Sequence, residues 1–402
     1  MTLPITQIRI TEAEYRARCD RLLAHIDEVS AGGVVLYDNL YILYYTGFAF
    51  IPTERPIAFV MNAQGERALF VPRLESEHAR QNALIDRVTH YLEYPYTPHP
   101  TQMLKDLLAE MGLTDRGVIG ADQNGYPWVF GYRGPSLSAL TGAQIHDVKP
   151  FVEDQMMIKS PAEIALIRES CKWGNLAHML LQRYTRVGAS ETEVSNRASF
   201  EATRAMYDAL GPIFRPQSPY YEGALAGYRG QIGRNAAIPH ALSGDLHFAD
   251  GDTLVTGAAS AVWGYLSELE RTMFVGRVSD EQKRLFDHMC ALQEIAFSAM
   301  RPGDPCSEVD RAVRAYYQEH DLMEYWRHHV GHAIGLRYHE GPFLDIGDST
   351  IMQPGMVFTV EPGLYAPNLG GFRHSDTVLI TETGIELLTY YPRDLASLTI
   401  AG

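Results

Sequence analysis

The chain has few cysteines and little positive charge. Its 402 residues include only four cysteines, which are far apart and form no C-x-x-C pair, so reduced thiols are expected. Lysine and arginine number 34 against 49 aspartates and glutamates, which gives a formal net charge of −15. Such an acidic surface repels phosphates, so nucleic acid and anionic membranes are not expected as partners.

Long apolar runs are also missing. No stretch of about eighteen apolar residues occurs, and Met1–Thr11 lacks the apolar core of a signal peptide, so no membrane span and a cytoplasmic location are expected. What the chain does have is an ordinary globular composition, with 46% hydrophobic and 21% charged residues. Its length is sufficient for two or three domains with a sizeable core.

The first part of the chain alternates between helical and strand-like patterns. Thr11 and Glu14 form a capping pattern that predicts a helix running to about Ile26. Strand-like apolar runs occur at residues 33–37, 58–61, 68–71 and 117–120. Residues 62–65 carry turn chemistry that predicts a hairpin between the second and third of these strands. Residues 1–152 are therefore predicted to form an α/β domain.

The second part, residues 155–402, begins with a strong helix signal. Ser160, Pro161 and Glu163 are the residue types favoured at the cap and in the first turn of a helix. Helical patterns continue to about residue 210 and are followed by strand-like runs at residues 253–255, 357–360 and 377–380. The pattern predicts an antiparallel or mixed sheet covered by helices, which is an α+β architecture.

Three histidines and a glutamate in this second part are candidate site residues. His332 lies between small and apolar residues, and His339 follows it by seven positions. Glu361 ends an apolar strand, where a carboxylate is costly unless it has a partner. His240 follows a proline in a loop. Each histidine taken alone could equally be structural or exposed.

A short acidic segment adds two further candidates. If residues 268–272 form a strand, then Glu268, Glu270 and Thr272 share one face and Arg271 points the other way. The alternative for this segment is an acidic strand on the protein surface.

Motifs in the second half of the chain resemble those of the pita-bread fold shared by aminopeptidase P, prolidase, methionine aminopeptidase and creatinase. The first half resembles the creatinase/prolidase N-terminal domain. The matching segments are 45–48, 159–163, 239–240, 251–254, 264–272, 331–335, 339–340, 354–356 and 360–365. The resemblance covers nearly the whole chain and implies a small α/β domain followed by a pita-bread catalytic domain.

The resemblance also permits a comparison of metal ligands. The family's peptidases hold two ions with two aspartates, one histidine and two glutamates, and the matching positions here are Gly257, Glu268, His332, Glu361 and Ser375. Two of the five lack a carboxylate, and two close cations need several anionic oxygens. We therefore predict no cofactor; the alternative is a single ion held by Glu268, His332 and Glu361, with His374 as a further candidate.

Creatinase has the same fold without a metal, and its site pattern resembles residues 264–272 of this chain. The resemblance implies that His240 is the general acid/base and that Glu270 and Glu361 hold a cationic group of the substrate. It also implies that Arg55 grips a substrate carboxylate across a dimer interface.

The resulting prediction is a metal-independent hydrolase, in the form of a homodimer, that cleaves a C–N bond in a small zwitterionic amidine, guanidine or amide. Creatinase and ectoine hydrolase are the nearest analogues. The predicted substrate contacts, besides Arg55, are His332, His339, Glu268 and His374. The alternatives are a metallopeptidase of the Xaa-Pro dipeptidase or aminopeptidase P type with an altered metal site, and a non-catalytic pita-bread binding module.

Overall fold

The computed structural model describes residues 8–94, 98–127, 134–212, 214–218 and 221–402. The chain divides into two compact units, Ile10–Met156 and the unit containing Met157–Gly402, and each is described by itself. The boundary predicted from the sequence lies at residues 152–155. Among the described residues, no helix combines the length and apolar character that crossing a bilayer requires.

The N-terminal unit is built on one mixed sheet. Its strands are β1 (Gly33–Leu36), β2 (Ala58–Asn62), β3 (Arg67–Pro72), β4 (Arg87–Tyr91), β5 (Val118–Ala121) and β6 (Gln144–Asp147). Its helices are α1 (Glu12–Glu28), α2 (Asn39–Thr46), α3 (Ser76–Asn82), α4 (Pro100–Glu110), α5 (Leu137–Thr141) and α6 (Lys149–Met157). The strand order is β4-β3-β2-β1-β5-β6, and β1 pairs antiparallel with β2 and parallel with β5.

Local sequence signals explain the start of this unit. The Thr11 side chain accepts a hydrogen bond from the backbone amide of Glu14 and so caps α1, as predicted. β2 and β3 form the predicted antiparallel hairpin, in which the Asn62 side chain accepts hydrogen bonds from the amides of Gln64 and Glu66. Every residue of β1, β2 and β3 is buried, which is why their sequences are nearly continuous apolar runs.

The C-terminal unit contains four long helices and most of the strands. Its helices are α7 (Pro161–Tyr184), α8 (Glu191–Leu210), α9 (Asp280–Ala299) and α10 (Ser307–Glu319). Its strands are β7 (Ala224–Gly227), β8 (Thr253–Val255), β9 (Gly257–Val262), β10 (Tyr265–Leu266), β11 (Leu269–Glu270), β12 (Thr272–Val275), β13 (Gly331–Ala333), β14 (Glu340–Leu344), β15 (Val357–Val360), β16 (Gly363–Ala366), β17 (Gly370–Arg373), β18 (Ser375–Thr381), β19 (Gly384–Leu387) and β20 (Thr399–Ile400).

The main sheet of this unit has nine strands. Seven follow the order β10-β9-β11-β18-β15-β13-β14, while β19 pairs with β18 and β7 with β9. All these pairings are antiparallel, and α7 packs against β9 while α8 packs against β7. Helix α7 begins with the predicted capping box of Ser160 and Glu163, with Pro161 in the first turn. The predicted α+β architecture is confirmed.

Candidate active site

Three side chains from neighbouring strands converge in the middle of the nine-stranded sheet. Glu268 precedes β11, His332 lies in β13, and Glu361 follows β15 directly. One ligand atom from each lies within 4.8 Å of the other two. His332 Nε2 is 3.3 Å from Glu361 Oε1. Residues almost a hundred positions apart thus meet because β11, β18, β15 and β13 are consecutive strands of the sheet.

Hydrogen bonds orient two of these three side chains. His332 Nδ1 lies 3.0 Å from the carbonyl oxygen of Ala333, to which it donates, so Nε2 is the ring nitrogen that faces the cluster. The Ser375 hydroxyl donates to Glu268 Oε1 at 2.7 Å. An imidazole fixed by a carbonyl and a carboxylate fixed by a hydroxyl are the kind of outer partners that hold metal ligands in place.

The electrostatics of the cluster reflect crowding of negative charge. Burial, together with the nearby charges of Glu361 and Glu270, raises the pKa of Glu268 to about 7. Burial opposes a charged His332, but its hydrogen bond with Glu361 and the charge of Glu268 raise the pKa of this histidine to about 9. Burial also opposes the charge on Glu361, yet His332 and Arg373 hold the pKa of this carboxyl well below its usual range. A bound cation would relieve this crowding, so the donor set fits one divalent ion.

The two positions that lack a carboxylate explain why this fit is for one ion. Gly257 begins β9, and a Cβ built on it would lie 3.6 Å from Glu270 Oε1 without a closer contact. Ser375 begins β18, and its hydroxyl is already used by Glu268. Neither position supplies the anionic oxygen that a second ion next to the first requires.

Glu270 is bound by two arginines of the chain itself. Its Oε1 accepts hydrogen bonds from Arg373 Nη2 at 2.8 Å and from Arg229 Nη2 at 3.1 Å, and its Oε2 accepts one from Arg373 Nε. Arg373 Nη1 also donates to the Tyr365 hydroxyl at 2.8 Å, which in turn contacts His328. No local sequence pattern predicted these arginines as partners of Glu270.

The predicted histidines occupy different environments. The His339 ring stacks on that of His332, with ring centroids 4.0 Å apart and planes 16° from parallel. Partial burial and the neighbouring charges of His332 and, to a smaller extent, His240 lower the pKa of His339. His240 is exposed and follows a short helical turn at Gly233–Ala237. The His374 ring is completely buried against Phe286.

Arg55 belongs to the N-terminal unit. Its guanidinium makes ion pairs with Glu54 at 2.6 Å and with Glu93 at 2.8 Å. Both partners lie in the same unit as Arg55, so local carboxylates already use part of its hydrogen-bonding capacity.

A cavity of about 500 Å³ opens beside the cluster. Glu268 and Glu270 line one part of it, and Arg229, Tyr221 and Tyr338 line another. The two tyrosine rings meet edge to face with centroids 5.7 Å apart. A volume of this size suits a small molecule.

The chain is similar to several known peptidases. An Xaa-Pro dipeptidase from Pyrococcus furiosus is 28% identical over 382 residues, covering 94% of this chain and 99% of that protein. The crystal structure of the prolidase from Pyrococcus horikoshii has a TM-score of 0.78 at 25% identity, covering 94% of this chain and 99% of that one. The Xaa-Pro dipeptidase from Bacillus anthracis shares the fold, with a TM-score of 0.78 at 24% identity and coverage of 95% and 99%.

These findings correct one prediction and decide between others. The expectation that the site needs no cofactor is wrong, because Glu268, His332 and Glu361 are placed so that they could hold a metal ion and the chain is similar to an Xaa-Pro dipeptidase and a prolidase. The predicted hydrolase is confirmed, and the peptidase alternative fits better than the creatinase-like activity. Residues 18–158 match the Creatinase/Prolidase N-terminal domain. Because residues 165–382 match Metallopeptidase family M24, the chain belongs to that family.

Proposed function

We propose that this protein is an Xaa-Pro dipeptidase-like hydrolase of small peptides that works with one divalent metal ion. The observation that carries the proposal is the convergence of Glu268, His332 and Glu361, with one donor atom from each within 4.8 Å of the others. Two carboxylates and one imidazole are a workable ligand set for a single ion. The similarity to an Xaa-Pro dipeptidase over 94% of the chain supports the substrate class.

An ion held by these three residues would supply a Lewis acid for a peptide carbonyl and would lower the pKa of a water molecule. The residues around it have separate tasks. The Ala333 carbonyl keeps the proton of His332 on Nδ1, and Ser375 holds the Glu268 carboxylate in a fixed orientation. Glu270 binds the buried Arg373 and also contacts Arg229, which lines the cavity.

Proton transfer is assigned to the histidines at the edge of the cluster. His339 has a lowered pKa and lines the cavity, so its neutral form can accept a proton near neutral pH. We retain His240 as the residue that returns a proton to the leaving nitrogen; its charge reaches His339, and its exposed turn gives contact with water. The homodimer, in which Arg55 would reach a neighbouring site, stays a prediction. A measurement of the molecular mass in solution would test whether the dimer forms.

The metal requirement is tested first. We expect the protein to lose hydrolysis of alanyl-proline after dialysis against a chelator and to recover it with Mn²⁺ or Co²⁺. Elemental analysis of the reloaded protein should find one ion per chain, because Gly257 and Ser375 supply no carboxylate for a second. Two ions per chain, or hydrolysis that survives complete metal removal, would contradict the proposal.

Ser375 offers a finer test of the ligand geometry. We expect Ser375→Ala to weaken ion binding by roughly ten- to a hundred-fold, as the loss of outer-shell partners typically does. The cause is the lost hydrogen bond to Glu268, since alanine leaves the carboxylate free to rotate. Ion affinity is measured by competition with a metal-binding dye. Ser199→Ala is the matched control, because among the described residues the Ser199 hydroxyl bonds only to backbone groups of Ser195 and Ala226.

A further inference from the structure

Arg229 has an unusual position on the wall of the cavity. It lies just after β7, and its backbone φ of 52° is in the left-handed region, which is uncommon for residues other than glycine. This backbone conformation has an energetic cost that ordinary surface arginines do not carry. The side chain is 49% exposed and lines the cavity together with Glu268 and Glu270.

The guanidinium of Arg229 is only partly used by the protein. Its Nη2 donates to Glu270 Oε1 at 3.1 Å and to Gln231 Oε1 at 3.3 Å. Within the part of the chain that the structure describes, Nη1 and Nε make no hydrogen bond. An arginine has five N–H groups in a planar fork, so donors suited to a carboxylate remain available on the cavity side.

Arg229 shares Glu270 with a second arginine. Glu270 also binds Arg373 through both of its oxygens, so one carboxylate faces two guanidinium groups. Gly257 lies next to this Glu270–Arg229 contact. A side chain there would begin 3.6 Å from the Glu270 oxygen that Arg229 contacts, so the glycine leaves space, and no competing carboxylate, next to this arginine.

From these contacts we infer that Arg229 binds the free α-carboxylate of the substrate and so restricts the enzyme to dipeptides. The inference rests on the proposed function and identifies the residue behind its substrate class. A peptide carbonyl next to the cluster of Glu268, His332 and Glu361 and a carboxylate on Arg229 would lie within one cavity of about 500 Å³. A longer peptide would place an amide, which has no negative charge, against the guanidinium.

The test compares a dipeptide with its C-terminal amide. For the wild-type protein we expect a much lower KM for alanyl-proline than for alanyl-prolinamide. Arg229→Ala should raise the KM for the acid by roughly ten- to a hundred-fold, the range for a lost charge-assisted hydrogen bond, and leave that for the amide nearly unchanged. Arg229→Lys should restore part of the preference, because it keeps the charge without the fork.

Two comparison variants make the result specific. Arg204→Ala removes a surface arginine of α8 whose ion-pair partner is Asp208, and it should behave as wild type. Arg55→Ala tests the carboxylate role implied by the family resemblance. Loss of the acid preference in Arg55→Ala but not in Arg229→Ala would overturn the inference. Equal losses for acid and amide in Arg229→Ala would also overturn it, since they would mean that Arg229 only positions Glu270.

A binding measurement separates this inference from the proposed function. L-proline should bind the purified wild-type protein more tightly than L-prolinamide in calorimetry, and Arg229→Ala should remove the difference. If that holds but no dipeptide is hydrolysed with any divalent ion, then the proposed function fails and carboxylate binding stands. If dipeptides are hydrolysed but wild-type protein treats acid and amide alike, then the inference alone fails.

Discussion

Replacement of His332 by alanine should abolish metal binding and hydrolysis together. The imidazole is the single nitrogen donor of the cluster, and its Nε2 lies 3.3 Å from Glu361 Oε1. Its removal leaves only two carboxylates, so ion affinity should fall by more than the roughly ten- to a hundred-fold that loss of an outer-shell partner costs. Elemental analysis after dialysis and the alanyl-proline assay measure the two effects.

The control for His332→Ala is another buried histidine. The His178 ring is fully buried, with Nε2 2.6 Å from the Thr256 hydroxyl, and it packs against the Tyr391 ring. His178→Gln should lower stability yet keep one ion per chain, which separates loss of a ligand from loss of packing. Circular dichroism checks that both variants fold. Full activity in folded His332→Ala would remove the basis of the proposed metal site.

Among the variants proposed, a replacement of Arg271 should lower the free energy of unfolding the most. Its guanidinium is completely buried and donates to Asp376 Oδ1 at 2.8 Å. It also donates to four backbone carbonyls, those of Glu270, Ser375, Tyr391 and Pro392. Arg271→Met leaves the Asp376 carboxylate without its cation and these carbonyls without the arginine donors, and breaking a buried ion pair in this way costs about 3–5 kcal/mol. Urea denaturation measures the change in the free energy of unfolding.

Arg277 provides the comparison for Arg271. It pairs with Asp250 at 2.8 Å, but its side chain is 89% exposed, so Arg277→Ala should change stability by less than about 1 kcal/mol. Arg271→Met combined with Asp376→Leu should be less destabilising than the sum of the two single changes, because neither partner is left unpaired. Equal losses of stability in Arg271→Met and Arg277→Ala would contradict the expectation that burial determines how much each ion pair contributes.

The strand segment around Glu268 illustrates how far local pattern reaches. Alternation predicted that Glu268 and Glu270 face one side and Arg271 the other, and the contacts agree: Glu270 contributes to the raised pKa of Glu268, while Arg271 bonds to Asp376. What alternation does not reveal is which groups lie opposite. Glu270 was predicted to hold a cationic group of the substrate, which stays a prediction, and in the structure it contacts Arg373 and Arg229.

The absent carboxylates show a second limit. The absence of carboxylates at Gly257 and Ser375 predicts that a two-ion site lacks ligands, and this stays a prediction, but the further step to no metal at all was wrong. That step treated the ligand set as a unit, whereas the remaining Glu268, His332 and Glu361 converge closely enough to hold one ion. Distances within 5 Å between residues almost a hundred positions apart follow from strand order, which a single sequence does not display.

The sequence by itself determined the features that depend on neighbours along the chain. The cap of α1, the hairpin of β2 and β3, the start of α7 and the motif that carries His332 all depend on residues a few positions apart. Tertiary structure alone decided the charge environment of the site. Arg229 is 41 sequence positions from Glu270, and Arg373 is 103 positions from it. Such long-range pairs form only when the strands of the sheet have paired. Electrostatic interactions depend on distance in space and on burial, so the charge balance between the arginines and glutamates of the site is fixed by folding.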